Sequence, residues 1–532
     1  MADELLNVRL SLLQAAKSAE GPQLGVLVSA KTAGLISVER DCLTVIGSLA
    51  RARGDLSGAV TALTRVQHLT QADAHDHSTE FAEVLWLQGQ HGLALEQLKR
   101  LLRTRSYAKP ANPHQFWLRA NVLSLLVSRA KDSLCLVSVF IRAIEKQGQW
   151  TAEARQATEI EIHEDYFKPS NSAVYHAQKA MSPQQVAGVT LRYAQFADQQ
   201  FQAMSDSEQI KKLKIHHNRM MKVHEDSVAY YRGKGKDDPY LKDNIRTVKQ
   251  ECLRNADQLQ RHEKHRLEFL VAALTMYAKV ISSTDSYNNL VLRFCAIWLS
   301  TEADADTNLH IAKPLRDIPS HKFVELAHQL TARLQPNSAE ASQFHRNLYS
   351  LVTRVCAEHP FHMAYQVITL AAPIAMKTSR RASTNLGPRE HAAHNLLAQV
   401  KTATKRSLEI EQMERFSRAA ISWAKEDNGK KGEDGRYTAA KNSAILTLKD
   451  MNIPVATAEL SVDPTMAYKG IPRLMSYDAK FTIAGGIHHP KIMVCRSSEG
   501  HQHRELVRSI QGCRVSLARL THTYLAIVQS WR

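Results

Sequence analysis

Glycine and proline are scarce, at 21 and 16 in 532 residues. That excludes a turn-rich β-sandwich or barrel as the main architecture and leaves long helices. Aromatic residues make up only 6% of the chain; Ala, Leu, Gln and Arg, all good helix formers, recur in their place. No uninterrupted apolar run approaches the ~18–20 residues of a membrane-spanning helix. The opening stretch MADELLNVRLSLLQAAKSAEG sets acids ahead of its apolar run, unlike a secretory signal. Cysteine supplies no framework. Cys42, Cys135, Cys252, Cys295, Cys356, Cys495 and Cys513 are scattered, odd in number and without a CxxC pair. Buried thiols in a reducing compartment fit that pattern. A soluble, intracellular chain with no membrane partner is expected.

What is present is apolar bulk and positive charge. Hydrophobic residues reach 44%, enough for a sizeable core. Lys and Arg exceed Asp and Glu by 69 to 52, a formal charge of +17. The excess is diffuse. Its densest stretch, 210–236, carries Lys211, Lys212, Lys214, Arg219, Lys222, Arg232, Lys234 and Lys236 against Glu225 and Asp226. Tyr230 and Tyr231 are its only aromatics, so it lacks the interleaving of a base-stacking platform. A long, solvated helix is the plain reading, ending at the 233–239 linker; an acidic partner is the alternative.

Residues 1–375 read as helix after helix. Gly54, Ala59 and Leu63 recur 35 residues later as Gly89, Ala94 and Leu98. That is close to the period of paired-helix repeats of the tetratricopeptide kind. Glycine closes one helix, and the small alanine lets the next approach closely. Phe323, Leu326, Ala327, Leu330 and Leu334 form one helical face after a start signal at Pro319-Ser320. Segment 267–299 is apolar on more than one face and reads as a buried helical hairpin broken near 282–286. From 453 onward the texture changes. Pro454, Pro464, Pro472 and Pro490 punctuate short alternating runs, and 459–462, 478–483 and 491–495 are expected as strands.

The histidines and carboxylates give no metal or acid–base site. His488, His489, Cys495, His501 and His503 match no closed tetrahedral spacing. His216 and His217 point about 100° apart on a helix. Neither HExxH nor a Walker-type GxxxxGK[ST] occurs. The acids of EIEIHE at 159–164 read as a charged helix face.

Two stretches carry a resemblance. Cys356-Ala357-Glu358-His359-Pro360-Phe361-His362 resembles the His-Pro-x-His element that closes the FAT helical array of ATM-type phosphatidylinositol-kinase-related protein kinases, the fungal telomere-length/ATM subfamily. Segments 275–299 and 318–334 look like FAT helices of the same family. Segment 453–507 is similar to the first strands of that family's kinase small lobe. There Gly485, Gly486, Pro490 and Lys491 fall in the Gly-Gly-x-x-x-Pro-Lys turn that covers nucleotide phosphates. Such a turn works because glycine backbone approaches phosphate closely and lysine adds charge.

The chain also departs from the family. Where the pattern has a phosphate-gripping Lys-Gly and an Asp-Leu-Arg-Gln-Asp run after the strand Glu505-Leu506-Val507, this sequence reads Arg508-Ser509-Ile510-Gln511-Gly512-Cys513. No catalytic loop or metal-binding aspartate follows. A truncated or mis-joined reading frame is the expectation, with a divergent, helix-patterned tail.

The fold expected is mostly α: an α-solenoid of paired TPR/HEAT-like helices, then a small partial antiparallel β-sheet. Its parts are a FAT-like array at 1–375, a linker and helices at 376–450, partial small-lobe strands at 451–507 and a divergent tail at 508–532. The resemblance implies serine/threonine kinase ancestry, a role in DNA-damage response and telomere maintenance, and the nucleus. It also implies a homodimer in the full-length context, protein partners on the helical surfaces and DNA contacted only indirectly. No catalytic residue, metal or cofactor is expected for this chain, and no activity alone; ATP and Mg belong to the full-length family. Two other readings stand beside it: a generic TPR-like protein-binding scaffold and a basic nucleic-acid-binding helical scaffold. A helical continuation through 453–507 would favour the scaffold, and an antiparallel sheet the kinase resemblance.

Overall fold

A computed structural model describes residues 25–69, 76–103, 144, 146–177, 181–233, 239–375, 387–403, 406–429, 431–485 and 490–507. The chain divides into two compact units, Met1–Thr284 and Asp285–Arg532.

The first unit opens with helices α1 (Gly25–Ala52), α2 (Leu56–Leu69), α3 (Asp76–Leu87) and α4 (His91–Arg103). Each pair is joined by the same glycine turn. Gly54 and Gly89 have φ of 81° and 77°, the left-handed region that glycine enters without a Cβ penalty. Asp55 N–H donates to the Ala50 carbonyl at 2.9 Å and Gly54 N–H to that of Arg51 at 3.0 Å. Gln90 and Gly89 repeat this with Leu85 and Trp86. The double closure satisfies carbonyls that a helix end leaves bare. Ala59, Leu63, Ala94 and Leu98 are all fully buried, so the 35-residue spacing is a structural repeat. A further turn of this form lacks glycine: Arg155 takes φ 52°, and Gln156 N–H reaches the Thr151 carbonyl. Trp150, just before it, stacks flat on Trp86 at 4.6 Å.

Thr158 and Glu161 cap each other's end of α5 (Glu159–Ile162) in a capping box. One acid of EIEIHE is therefore a helix cap, while Ile162 is buried. A π turn, His163–Phe167, leads into α6 (Lys168–Ala177). Next come α7 (Pro183–Ser205), α8 (Glu208–Gly233) and α9 (Pro239–Ser283). Helix α8 buries no residue, as its charge pattern predicted. Lys234 and Lys236 of that pattern lie outside the described residues.

The second unit continues with α10 (Leu290–Leu299) and α11 (Ala305–Asp317), so the break expected near 282–286 falls between α9 and α10. A 3-10 turn, Ser320–Leu326, then tightens the chain before α12 (Ala327–Ala332). Phe323, Leu326, Ala327, Leu330 and Leu334 are all buried. The face is as predicted, although its first turn is 3-10 and not α. Helices α13 (Gln343–Glu358), α14 (Pro360–Ala375), α15 (Pro388–Ala403) and α16 (Ser407–Lys425) complete the helical part. Asn308 crosslinks three segments: it accepts from Trp298 Nε1 at 2.9 Å, donates to Thr301 O at 2.8 Å, and its carbonyl accepts from Asn347 at 2.7 Å.

A small antiparallel sheet follows: β1 (Tyr437–Thr438), β2 (Leu474–Tyr477), β3 (Lys480–Ile483), β4 (Lys491–Ser497) and β5 (Gln502–Val507). β5 lies along β4 with Lys491 opposite Val507 and Arg496 opposite Gln502. β2 and β3 share the other edge of β4 in tandem, and β1 pairs with β3. The outcome is the antiparallel sheet that the kinase resemblance requires. One strand expectation fails. Segment 459–462 is irregular, because it belongs to an excursion, 456–471, between two stretches that bond each other. Val455 N–H meets the Pro472 carbonyl at 3.0 Å and Leu474 N–H that of Ile453 at 3.0 Å, leaving the intervening chain no ladder. The sequence also gave no warning of β1 and β2. The helix pattern at 515–531 lies outside the described residues.

Phe323 fills a closed core position, whereas Ile215 on α8 is largely exposed. Phe323→Ala is expected to cost ~3–5 kcal/mol, and Ile215→Ala less than ~0.5 kcal/mol. Chemical denaturation of the purified chain measures both, and equal effects would contradict this core.

Candidate functional site

The glycine turn joins β3 to β4. Thr482 faces Ile492, Ile483 faces Lys491, and Ala484 N–H donates to the Pro490 carbonyl at 2.9 Å. Gly485, Pro490 and Lys491 therefore meet at one hairpin, with open space where a Cβ would stand on Gly485. Gly486 lies outside the described residues. Lys491 is only 5% exposed. Its Nζ donates to the carbonyl of Trp423 at 2.9 Å and to that of Glu426. It also sits 5.0 Å from the centroid of the Trp423 ring and 5.8 Å from that of Phe481. Burial draws its pKa below the ordinary lysine value. The ammonium thus caps the carboxyl end of α16, where bare carbonyls and the helix dipole favour a cation. Phe481 meets Trp423 edge-on at 5.3 Å, so the base of the hairpin is fixed to that helix end.

A second cluster went unread in the sequence. Glu505 on β5 is 1% exposed. It accepts hydrogen bonds from the Tyr477 hydroxyl on β2 and from Cys495 Sγ on β4 at 3.4 Å. Burial raises its pKa despite these donors and the backbone of Ala456. The signal was strand parity: Glu505 shares the buried face with Val507, a place where an acid needs partners.

The His-Pro-x-His corner forms a third site. His359 ends α13, Pro360 begins α14, and the imidazole is fully buried. Its Nδ1 lies 2.7 Å from the Tyr468 hydroxyl and its Nε2 3.0 Å from Ser320 Oγ. Ser320 Oγ donates to Glu358. A carboxylate only accepts, so the serine proton is committed there and Nε2 must carry the imidazole's proton. Nδ1 then accepts from Tyr468. Burial, His321, His362 and Arg406 together push the His359 pKa down to about 4, against the opposing pull of Asp463. Phe361 meets the Tyr468 ring edge-on at 5.3 Å, and His362 lies tilted on it at 5.7 Å. Arg406 sits 5.6 Å from the ring's centroid and donates to the Met466 carbonyl. Every side chain of the motif except that of Pro360 thus touches one tyrosine, 109 residues from His359. Among the described residues no group of three or more His, Cys, Asp or Glu side chains could hold a metal ion.

Successive helices, a buried His-Pro-x-His corner and a small antiparallel sheet with a glycine hairpin define the class: a mostly helical fold with a small sheet after its helices. Over most of its length the chain is similar to serine/threonine kinases named Tel1 and ATM. No family model matches it. A serine/threonine-protein kinase TEL1 of Cryptococcus neoformans var. neoformans is 27% identical over 524 residues, 96% of this chain and 16% of the relative. The tel1 kinase of Aspergillus oryzae is 28% identical over 81% of this chain and 14% of its own length. The serine-protein kinase ATM of Sus scrofa is 24% identical over 81% of this chain and 14% of its own length. Among solved structures, the complete CtTel1 dimer with C2 symmetry superposes with TM-score 0.68 at 20% identity, covering 96% of this chain and 18% of that one. The FAT and kinase domain of CtTel1 gives TM-score 0.67 at 20% identity, covering 96% of this chain and 33% of that one. The chain thus spans about a sixth or less of the curated relatives' length.

Lys491→Met keeps the side chain's bulk and removes its donors. It is expected to cost ~1–3 kcal/mol by removing the donor to the Glu426 carbonyl and leaving that of Trp423 only the Glu426 N–H at 3.2 Å. Faster hydrogen exchange at 420–426 would register the loss; unchanged exchange would contradict the cap. For Glu505, a raised folded-state pKa means that the acid favours folding below its ordinary value of 4.5 and loses this advantage as pH rises through the folded value. The stability of Glu505→Gln relative to the parent should therefore improve as pH climbs from 4.5. Parallel unfolding curves across that range would contradict it.

Proposed function

We propose that this chain is the helical support and opening small-lobe sheet of a serine/threonine kinase of the Tel1/ATM kind, acting in DNA-damage response and telomere maintenance in the nucleus. The observation that carries the reading is order along one chain: paired-helix repeats, the His359 corner, then an antiparallel sheet hinged on a glycine turn. The parts are a helical array at 1–375, connecting helices at 376–450, small-lobe strands at 451–507 and a distinct segment at 508–532. The turn at Gly485, Gly486 and Pro490 serves as the phosphate-covering loop. Lys491 serves it from behind, by anchoring the hairpin to α16. ATP and Mg are the ligands of the whole kinase.

Assembly as a homodimer through helical surfaces is part of the same proposal. It is supported by the solved relatives, which include a complete CtTel1 dimer with C2 symmetry and a Tel1 kinase butterfly symmetric dimer. The sheet at 474–507 counts against a generic repeat scaffold, which would continue as helices. Deleting the locus tests the reading. Shortened telomeres and hypersensitivity to double-strand breaks are expected; normal telomere length with normal break survival would overturn it.

A further inference from the structure

Segment 450–455 runs back along 472–475, so the excursion 456–471 leaves the sheet and returns to it at one place. Near its far end the chain is wound tightly. Asp463 accepts from Thr465 N–H at 2.8 Å, Ala467 N–H at 3.1 Å and Tyr468 N–H at 2.8 Å. Met466 and Tyr468 take φ of 60° and 48°, a conformation that costs a non-glycine residue energy unless its surroundings hold it. What holds Tyr468 is the His359 corner. Its hydroxyl enters a directed chain in which Tyr468 donates to His359 Nδ1, His359 Nε2–H donates to Ser320, and Ser320 donates to Glu358.

We propose that Tyr468 is a positioning residue, a pin through which the His-Pro-x-His corner holds the 456–471 excursion, and that the pin releases when His359 gains a proton. β2 starts six residues beyond the pin, at Leu474, so release loosens the entry to one edge of the sheet while β4 and β5 keep their ladder. The release follows from donor counting. A protonated imidazole donates from both nitrogens. The Tyr468 hydroxyl would then have to accept from Nδ1 and find a new acceptor for its own proton inside a buried socket. Several charged or titratable groups face His359: Glu358 on α13, His321 on the 3-10 turn, His362 on α14, Arg406 ahead of α16, and Asp463 and Tyr468 on the excursion. His321, His362 and Arg406 oppose the proton and Asp463 favours it. A histidine held neutral in the folded state loses stabilising effect as pH falls below its ordinary 6.5 and has lost it near 4. The inference stands on the geometry of the socket and is independent of the kinase reading.

Hydrogen exchange on the full chain tests it, comparing the parent with Tyr468→Phe, His359→Gln and the double variant. Tyr468→Phe keeps the ring and its packing, so it reads the hydroxyl alone. Each single change should lower protection of 456–471 about tenfold, the scale of one lost buried hydrogen bond. The double variant should do no more than the larger single, and 491–507 should be unaffected. Acidification from pH 6.5 to 4, corrected for intrinsic exchange, should unprotect 456–471 in the parent and change Tyr468→Phe far less. Full protection in Tyr468→Phe, additive losses in the double variant, or equal loss across 491–507 would each overturn the proposal.

Discussion

A helix that stops must give its last carbonyls a partner, and the way α16 stops decides where the sheet can be. Its final turn offers the carbonyl of Trp423, and the next residues that of Glu426. Lys491, the first residue of β4, fills both. The Lys491 ammonium and Phe481 then lie against the Trp423 ring. The hairpin is thereby fixed by its base. The same helix reaches the sheet segment at two further points. Gln412 accepts from Asn452 N–H, and Arg415 donates to the Thr447 carbonyl at 2.8 Å. One helix face thus sets both ends of the chain that enters the sheet.

The helical part rests on a related economy of backbone bonds. Gly54 and Gly89 let each helix end fold back on its own carbonyls, and Ala59 and Ala94 then let the following helix approach. Where glycine is missing, at Arg155, the same turn forms, with the preceding Trp150 stacked on Trp86. Polar side chains inside the array are spent on joining segments. Asn308 ties α10, α11 and α13, and the Tyr277 hydroxyl donates to Asp198 at 3.0 Å across α9 and α7. Buried polar groups paired in this way specify one arrangement of helices that apolar packing alone would leave degenerate.

Much of this was legible beforehand, for physical reasons. The Gly54–Gly89 spacing, the buried face at Phe323 and Leu330, and the hairpin around Gly485 are local signals, set by periodicity or turn chemistry. The exposed character of α8 followed from its charge. What could not be read depends on contacts distant in sequence. The strand at 459–462 failed because alternation fixes a pattern, while a ladder needs a neighbour, and the neighbours of that stretch bond each other. Lys491 was read as a charge beside phosphate because the motif puts a lysine there; that its Nζ bonds the carbonyls of Trp423 and Glu426 requires knowing where α16 ends. His359 stood out as a motif residue, yet its partner Tyr468 carries no local mark beyond the turn-forming Asp463 before it. Glu505 was visible only as an acid in an inward strand position, and Tyr477 and Cys495 become its partners only once β2, β4 and β5 are aligned.

The central claim is that the last turn of α16 and the first residues of β4 form one cooperative body. Native-state hydrogen exchange along a urea series measures this directly. The account predicts that amides at 420–426 and 491–497 open with the same free energy and the same urea dependence. Opening of the helix end at lower free energy, while the strand stays protected, would contradict it.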